Sequence, residues 1–135
     1  MTVREIPIEQ VLPVRRDVMY PGKSLTDVSL TDDPRGTHLG LFDNGQKLVT
    51  VVSLFMNDNE LQFRKFATLI QEQGKGYGSQ MLKYILAYSK AHHVERIWCN
   101  ARKDALQLYK RFGFAETGEC FSRDGIDFVI VELFL

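Results

Sequence analysis

The chain has 135 residues, of which 44% are hydrophobic and 25% charged, a composition typical of one globular domain with a single packed core. Its 17 basic and 17 acidic residues cancel, so no overall field favours nucleic acid or an anionic membrane surface. No apolar stretch approaches the roughly 20 residues of a membrane span, and the early Arg4 and Glu5 are untypical of a signal peptide, so we expect a cytoplasmic protein.

The first half of the chain predicts one helix and a series of strands joined by turns. Pro13 suits the first turn of the helix or a kink in it. The Asp-Asn-Gly-Gln sequence at residues 43–46 predicts a hairpin turn between two strands. Apolar periodicity and turn signals place the helix at residues 8–19 and the strands at residues 2–5, 38–42, 47–56 and 60–69.

The fourth strand has an irregular apolar pattern. Leu61 and Phe63 share one face by the period of two, whereas Phe66 falls on the other face. One extra residue between Phe63 and Phe66, a β-bulge, would restore a single buried face and leave a backbone N–H unpaired. A strand buried on both faces explains the pattern equally well, and the sequence does not decide between the two.

A glycine-rich loop follows this strand and precedes a helix predicted at residues 79–91. Its three glycines, at positions 74, 76 and 78, are two residues apart, and glycine lets a ligand approach the backbone closely. The first N–H groups of a helix and the positive end of its dipole point at such a loop. This arrangement predicts a site for a phosphorylated ligand, with a plain turn as the alternative.

Two common phosphate-binding motifs do not fit this loop. A P-loop ends in Lys followed by Ser or Thr, and no such pair closes the loop. A dinucleotide fingerprint needs G-x-G-x-x-G and an acidic residue at the end of the next strand. Here the spacing is G-x-G-x-G, and the next strand is predicted to end at Asn100 without a carboxylate. The pattern that does fit, at residues 73–78, is Gln or Arg, any two residues, Gly, any residue, then Gly or Ala.

A second motif lies downstream, after the intervening strand. Residues 105–114 follow the pattern Ala-hydrophobic-x-Leu-Tyr-x-x-x-Gly-Phe. In this order and spacing, the two motifs resemble the acyl-CoA-binding signature of the GNAT superfamily of N-acetyltransferases over residues 61–114. One position departs from it, because many members carry Asn three residues before the motif alanine, where this chain has Arg102. The Asn100-Ala101 pair instead resembles a subgroup with Asn-Ala-Gln at this strand end.

The resemblance implies an α/β fold and an activity. The fold would be a single N-acetyltransferase domain over residues 1–135, with a mixed, mostly antiparallel sheet splayed between strands 4 and 5 and flanked by helices. The variable acceptor side would be residues 1–60, the acyl-CoA-binding core residues 61–114, and the C-terminal hairpin residues 115–135. The implied reaction moves an acetyl group from acetyl-CoA to a primary amine of a small molecule or peptide, by direct attack in a ternary complex.

The alternative function is a non-catalytic acyl-CoA-binding or sensing domain. For either function we expect no metal, no nucleic acid and no membrane partner, and a homodimer is left open.

The resemblance also implies which residues form the site. The loop backbone would hold the pyrophosphate of acetyl-CoA, and amides of the fourth strand would polarise the acetyl carbonyl and pair with the pantetheine arm. Lys75 either adds charge beside the loop or is a solvated loop lysine. The implied CoA-binding residues are Phe66, Ala67, Thr68, Gln73, Gly74, Lys75, Gly76, Tyr77, Gly78, Ser79 and Asn100.

Tyr109 lies where the family places the partner of the departing thiolate. The alternative is a core aromatic residue, because Tyr109 borders an apolar helical stripe. The general base is not identified by the sequence. Glu60, His38 and an ordered water are the candidates.

The remaining chemically versatile residues favour structural roles. His92 and His93 close the helix after the glycine loop, where cationic side chains suit the helix dipole. Cys99 and Cys120 are expected to be reduced thiols in strands, without a disulfide. No covalent enzyme intermediate is expected at either cysteine.

Overall fold

The computed structural model describes residues 1–135, and its strands form one seven-stranded sheet in the order β1-β2-β3-β4-β5-β7-β6. Strands β4 and β5 are parallel, whereas the β1–β2, β2–β3, β5–β7 and β6–β7 pairs are antiparallel. The strands are β1 (Thr2–Glu5), β2 (Thr37–Phe42), β3 (Leu48–Asn57), β4 (Glu60–Thr68), β5 (Arg96–Arg102), β6 (Ala115–Arg123) and β7 (Ile126–Phe134), and the helices are α1 (Ile8–Met19), α2 (Tyr77–Ala91) and α3 (Leu106–Arg111). This mixed α/β sheet with flanking helices is the fold that the sequence predicts.

The predicted elements all exist, and their boundaries differ by one or two residues. Helix α1 has the predicted bounds. Helix α2 begins at Tyr77, two residues before the predicted start, so that Gly78 lies inside its first turn. Strand β5 continues to Arg102, two residues beyond the predicted end. Such differences are expected at element ends, where few hydrogen bonds decide the boundary. No helix is long and apolar enough to span a bilayer.

The chain forms two compact units. Unit 1 comprises residues 1–55 and 63–88, and unit 2 comprises residues 56–62 and 89–135. The division at residues 60 and 114 drawn from the sequence stays a prediction.

Unit 1 is built around the apolar face of α1. Val11 and Val14, three residues apart, point the same way from the helix and are 0% and 8% exposed. They belong to a core cluster with Ile6, Phe42, Val51 and Ala67. Helix α1 is therefore amphipathic and covers one face of the unit 1 strands.

A charged side chain lies within this apolar face. Arg15 is fully buried, and its guanidinium donates to both carboxylate oxygens of Asp33, at 2.9 and 3.2 Å, to the Val28 carbonyl at 3.0 Å and to Ser53 Oγ at 2.9 Å. Burial opposes ionisation of Asp33, yet the hydrogen bonds from Arg15 and the Leu30 amide and the Arg15 charge hold the pKa of Asp33 below its ordinary value. The ion pair ties the loop after α1 to the sheet.

Unit 2 contains the parallel ladder, which is short. It consists of the pairs Glu60–Arg96, Leu61–Ile97 and Gln62–Trp98. It ends there, although β4 runs on to Thr68 and β5 to Arg102. The early end of this ladder corresponds to the splay expected between strands 4 and 5. Strand β5 instead pairs along its whole length with β7, from Arg96–Phe134 to Arg102–Phe128.

Candidate functional site

The glycine loop has the backbone geometry that an anion site needs. Gly74 and Gly76 have φ angles of +79° and +88°, in the left-handed region that favours glycine. A Cβ at either position would meet no atom within 4 Å, so the space beside the backbone is open. Helix α2 begins directly after Gly76, and the Gln80 N–H donates to the Gly76 carbonyl at 3.1 Å. The amides of the first turn have no intrahelical acceptor, and a pyrophosphate would fit them.

The side chain of Gln73 shapes this loop. Its Nε2 donates to the Thr68 carbonyl at 3.0 Å, which closes the segment between β4 and the loop. Thr68 is held in turn by a 2.9 Å hydrogen bond between its Oγ1 and that of Thr50 on β3. The glutamine of the motif therefore bonds the chain itself, and the backbone of the loop is left for a ligand.

A carboxylate lies beside the loop and was not expected from the sequence. Glu72 is 9% exposed, and its oxygens lie 3.0 Å from Lys75 Nζ and 3.4 Å from Lys47 Nζ. The hydrogen bond from Lys75 lowers the pKa of Glu72, and the same bond raises the pKa of Lys75. Lys75 is thus an exposed loop lysine that is ion-paired with Glu72. The helical spacing rule did not predict this pair, because Lys75 lies in the loop after the 3-10 turn that ends at Glu72.

Strand β4 is irregular where the sequence indicated. Lys65 has a φ of +56°, an uncommon value for a residue other than glycine and a feature of some β-bulges. The explanation by burial on both faces is wrong, because Gln62 and Arg64 are only partly buried. The buried face returns at Ala67, which is 3% exposed, whereas Phe66 is half-buried. The β-bulge predicted from the sequence would have put Phe66, and not Ala67, on the buried face.

The second motif forms the end of α3, in a hydrogen-bond pattern known as a Schellman motif. Gly113 has a φ of +93°, its N–H donates to the Lys110 carbonyl at 3.0 Å, and the Phe114 N–H donates to the Tyr109 carbonyl at 3.1 Å. Such ends usually bring the residue after the glycine against the third-last helical residue. Here the Phe114 and Tyr109 rings meet edge to face, 5.9 Å between centroids. The Gly-Phe of the motif thus fixes the tyrosine ring.

The hydroxyl of Tyr109 meets Cys99 of β5. Tyr109 is 8% exposed and Cys99 2% exposed, and their side chains are hydrogen-bonded. Burial raises the pKa of both groups, so the phenol and the thiol are both protonated at neutral pH. Sequence reasoning missed this pair, although the alternation of Ile97, Cys99 and Ala101 indicated that Cys99 is buried.

Comparison with known families decides what these features belong to. Residues 19–135 match the acetyltransferase (GNAT) domain. This chain belongs to the GNAT family. A relative from Bacillus subtilis (strain 168), the uncharacterized N-acetyltransferase YitI, is 28% identical over 135 residues, with 93% of this chain and 90% of the relative covered.

Solved GNAT structures share the fold over nearly the whole chain. The ribosomal-protein-S18-alanine N-acetyltransferase from Escherichia coli has a TM-score of 0.81 at 18% identity, covering 98% of this chain and 92% of its own. A GNAT family acetyltransferase from Elizabethkingia anophelis, solved with acetyl-CoA bound, has a TM-score of 0.74 at 20% identity. The match covers 99% of this chain and 97% of the Elizabethkingia anophelis chain.

The two side chains named as candidate bases of this GNAT protein are both engaged. His38 is buried, with Nδ1 2.7 Å from Ser53 Oγ and Nε2 3.0 Å from the Asp33 carbonyl. Glu60 lies 3.1 Å from Arg96 Nη1. Neither arrangement presents an unengaged base.

Asn100, Arg102 and Cys99 of the GNAT chain lie on β5, and Cys120 lies on β6. Asn100 is exposed on β5. Arg102, the departure from the usual asparagine, lies at its end, 3.4 Å from Asp104. Cys99 and Cys120 are both free thiols, as predicted. No cluster of three or more His, Cys, Asp or Glu side chains could hold a metal ion.

Proposed function

We propose that this GNAT protein transfers the acetyl group of acetyl-CoA to a primary amine by direct attack within a ternary complex. The glycine loop carries the proposal, because Gly74 and Gly76 leave an open, left-handed backbone at the start of α2. Membership of the family supports acetyl transfer, and the acetyl-CoA bound to the Elizabethkingia anophelis relative supports this donor.

Acetyl-CoA would supply the activated thioester, and residues of the chain would hold and polarise it. The backbone amides of residues 74–79 would bind the pyrophosphate at the helix start. Residues 66–68, beyond the left-handed Lys65, would present amides to the pantetheine arm and the acetyl carbonyl. Asn100 would contact the pantetheine. These assignments rest on the motifs and stay predictions.

The acceptor must attack as a neutral amine. Its nitrogen lone pair forms the bond to the acetyl carbon, the carbon–sulfur bond breaks, and sulfur leaves as the thiolate with the bonding electrons. The new amide nitrogen then loses one N–H proton to water. An alkyl ammonium of pKa near 10.4 must first lose a proton, which costs about 4 to 5 kcal/mol at neutral pH. Because His38 and Glu60 already have partners, we propose that this proton leaves through water.

Tyr109 would stabilise the departing sulfur by donating a hydrogen bond. On ordinary pKa values, about 10 for a phenol and 8.5 for a thiol, full proton transfer to the thiolate is uphill by about 2 kcal/mol. Burial raises the pKa of Tyr109 further. The phenol therefore keeps its proton and acts as a hydrogen-bond donor.

A non-catalytic acyl-CoA-binding domain is the second candidate. The contacts of His38 and Glu60 favour it, since each side chain already has a hydrogen-bond partner, and Arg102 replaces the asparagine common in the family. The acceptor, the homodimer and the cytoplasmic location stay predictions. The Escherichia coli relative is named as a ribosomal-protein-S18-alanine N-acetyltransferase, so peptide N-termini are one class of acceptor to test.

Free-thiol release from acetyl-CoA distinguishes the two candidates. The panel of acceptors would contain a polyamine, amino acids, an aminoglycoside and a peptide with N-terminal alanine, with an amine-free reaction as control. We expect at least one amine to accelerate release. Calorimetric binding of acetyl-CoA without release for any amine would favour the binding domain, and absence of both would contradict both candidates.

A further inference from the structure

Lys65 has a backbone conformation that no other side-chain-bearing residue of a strand adopts. Its φ is +56° in the middle of β4. A left-handed backbone is unfavourable for a residue with a Cβ, whereas glycine adopts it readily. Such outliers often lie at functional sites, where the side chain is needed. The other non-glycine residues with positive φ lie in turns or at a helix end: Gln46, Asp58, His93 and Asp124.

The ammonium group of Lys65 is held against Tyr20, the residue that ends α1. Its Nζ donates a hydrogen bond to the Tyr20 hydroxyl and lies 4.9 Å from the centroid of that ring. The backbone of Tyr20 is fixed in turn, because its N–H donates to the Arg16 carbonyl at 2.8 Å and its carbonyl accepts from the Lys23 N–H at 3.1 Å. Both side chains are partly buried. The charge of Lys65 therefore has a defined place beside β4.

This ammonium group has no counter-ion within the chain. Lys65 takes part in none of the ion pairs, whereas its neighbour Arg64 lies 3.8 Å from Asp32. Of the three N–H donors of a lysine, the phenol accepts one. The phenolic O–H of Tyr20 is a further donor, since its oxygen already accepts from Lys65. The pair therefore suits an anionic group that accepts hydrogen bonds, such as a carboxylate.

The pair lies next to the place proposed for the acetyl group. Lys65 directly precedes residues 66–68, whose amides would polarise the acetyl carbonyl, and consecutive Cα atoms are about 3.8 Å apart. The flexible four-carbon stem of a lysine lets its charge reach beyond its own backbone. An amine that attacks this carbonyl would thus bring its other substituents near the Lys65 charge.

We propose that Lys65, together with the Tyr20 hydroxyl, binds a carboxylate of the acceptor, so that the acceptor is an amino acid or a similar amine that carries a carboxylate. This inference rests on the proposed function and names the substrate class for the same site. The same charge would disfavour a polyamine, whose additional ammonium groups would meet a like charge.

Pairs of acceptors that differ only in the carboxylate test this class. Amino acids of increasing chain length, beginning with glycine, would each be compared with their own primary amide by thiol release from acetyl-CoA. We expect kcat/KM, expressed per neutral amine, to be about ten-fold or more higher for at least one acid than for its amide, as for a hydrogen bond to a charged group. Equal values, or a preference for the amide throughout the series, would overturn the inference without any variant.

Substitution of Lys65 assigns the preference to this side chain. Lys65→Met keeps an unbranched chain and the same backbone strain but removes the charge, so the acid-to-amide ratio of kcat/KM should fall about ten-fold. The ratio cancels the difference in amine pKa between acid and amide. Lys65→Arg keeps the charge and should retain more of the ratio than Lys65→Met. Arg64→Met, which removes the adjacent charge already paired with Asp32, should keep the parent ratio.

Three results for these variants would contradict the assignment. A parent ratio in Lys65→Met would show that Lys65 does not bind the carboxylate. An equal fall in Arg64→Met would show that the general field of β4 is responsible. A raised KM for acetyl-CoA with an unchanged ratio would show that Lys65 serves a phosphate of the donor.

A binding measurement does not depend on turnover. In calorimetry with CoA present, the preferred acid should bind about ten-fold more weakly to Lys65→Met than to the parent, and to a smaller extent more weakly to Tyr20→Phe. Equal affinity for the parent and Lys65→Met would overturn the inference. Amine-dependent thiol release that is equal for acids and amides would overturn this inference alone, whereas absence of release with every amine would overturn the proposed function as well.

Discussion

The glycine loop of unit 1 and the Tyr109–Cys99 pair of unit 2 differ in what they expose. The loop offers bare backbone, with open space beside Gly74 and Gly76. The pair offers two buried, neutral side chains, each at most 8% exposed. A backbone site should be most sensitive to atoms that are added, and a side-chain site to atoms that are removed. The three predictions below test this difference in order of expected effect.

The largest effect is expected from adding a carboxylate to the loop. Gly76→Asp places bulk and negative charge where the pyrophosphate would bind, so CoA affinity in calorimetry should fall at least about 100-fold, or about 2.7 kcal/mol. Aspartate tolerates the left-handed backbone better than most residues, and the added Cβ meets no atom within 4 Å, so the fold should persist.

Gly22→Asp is the matched control for this substitution. Gly22 has a φ of +84°, close to the +88° of Gly76, and equally open surroundings. It should carry the same backbone strain and leave CoA affinity unchanged. Parent affinity in Gly76→Asp, or an equal loss in both variants, would remove the central claim about the loop.

Removing one oxygen from the Tyr109 pair should have the next largest effect. Tyr109→Phe keeps the ring contact with Phe114 but loses the hydrogen bond to developing charge, worth about 1.5 to 3 kcal/mol. We expect kcat to fall about ten- to a hundred-fold, with CoA affinity unchanged. Tm should fall slightly, because the hydrogen bond between Tyr109 and Cys99 is lost.

Tyr84, exposed on α2, provides the control. Tyr84→Phe should leave both kcat and Tm at parent values. If Tyr109→Phe lowers Tm but keeps the parent kcat, Tyr109 is a core aromatic and its catalytic assignment should be withdrawn.

The smallest effect is expected from truncating the loop lysine. Lys75 is paired with Glu72, and Lys47 remains on that carboxylate when Lys75 is removed. Lys75→Ala should therefore weaken CoA binding less than about five-fold, as for an exposed ionic contact. Lys83→Ala, at an exposed position of α2, should have no effect. A loss above ten-fold for Lys75→Ala alone would show that a side chain, and not the backbone, dominates the loop site.

The sequence predicted the elements well because their periodic patterns are local. The strands and helices whose bounds the sequence predicted were found within about two residues, and the Gly-Phe of the second motif lies at the helix end where a glycine terminator is expected. The left-handed Lys65 also falls within the segment that the irregular apolar pattern marked.

Contacts between distant residues could not be predicted in the same way. Glu72 is paired with Lys47, which lies 25 residues earlier, and Cys99 meets a hydroxyl from a different element. The position of Arg15 did indicate a buried ion pair, because a charge four residues after Val11 lies on the apolar face of the helix and needs a buried partner. The pattern did not identify that partner as Asp33.

The contrast between the two cysteines has a practical consequence for chemical labelling. Cys120 is an exposed thiol on β6, whereas Cys99 is buried and its raised pKa keeps it protonated. A maleimide dye would therefore modify Cys120 selectively and give each folded chain a single attachment point. The same thiol contributes one equivalent of background to any thiol-reagent assay of CoA release, and modification of a second equivalent would report that the packing around β5 has opened.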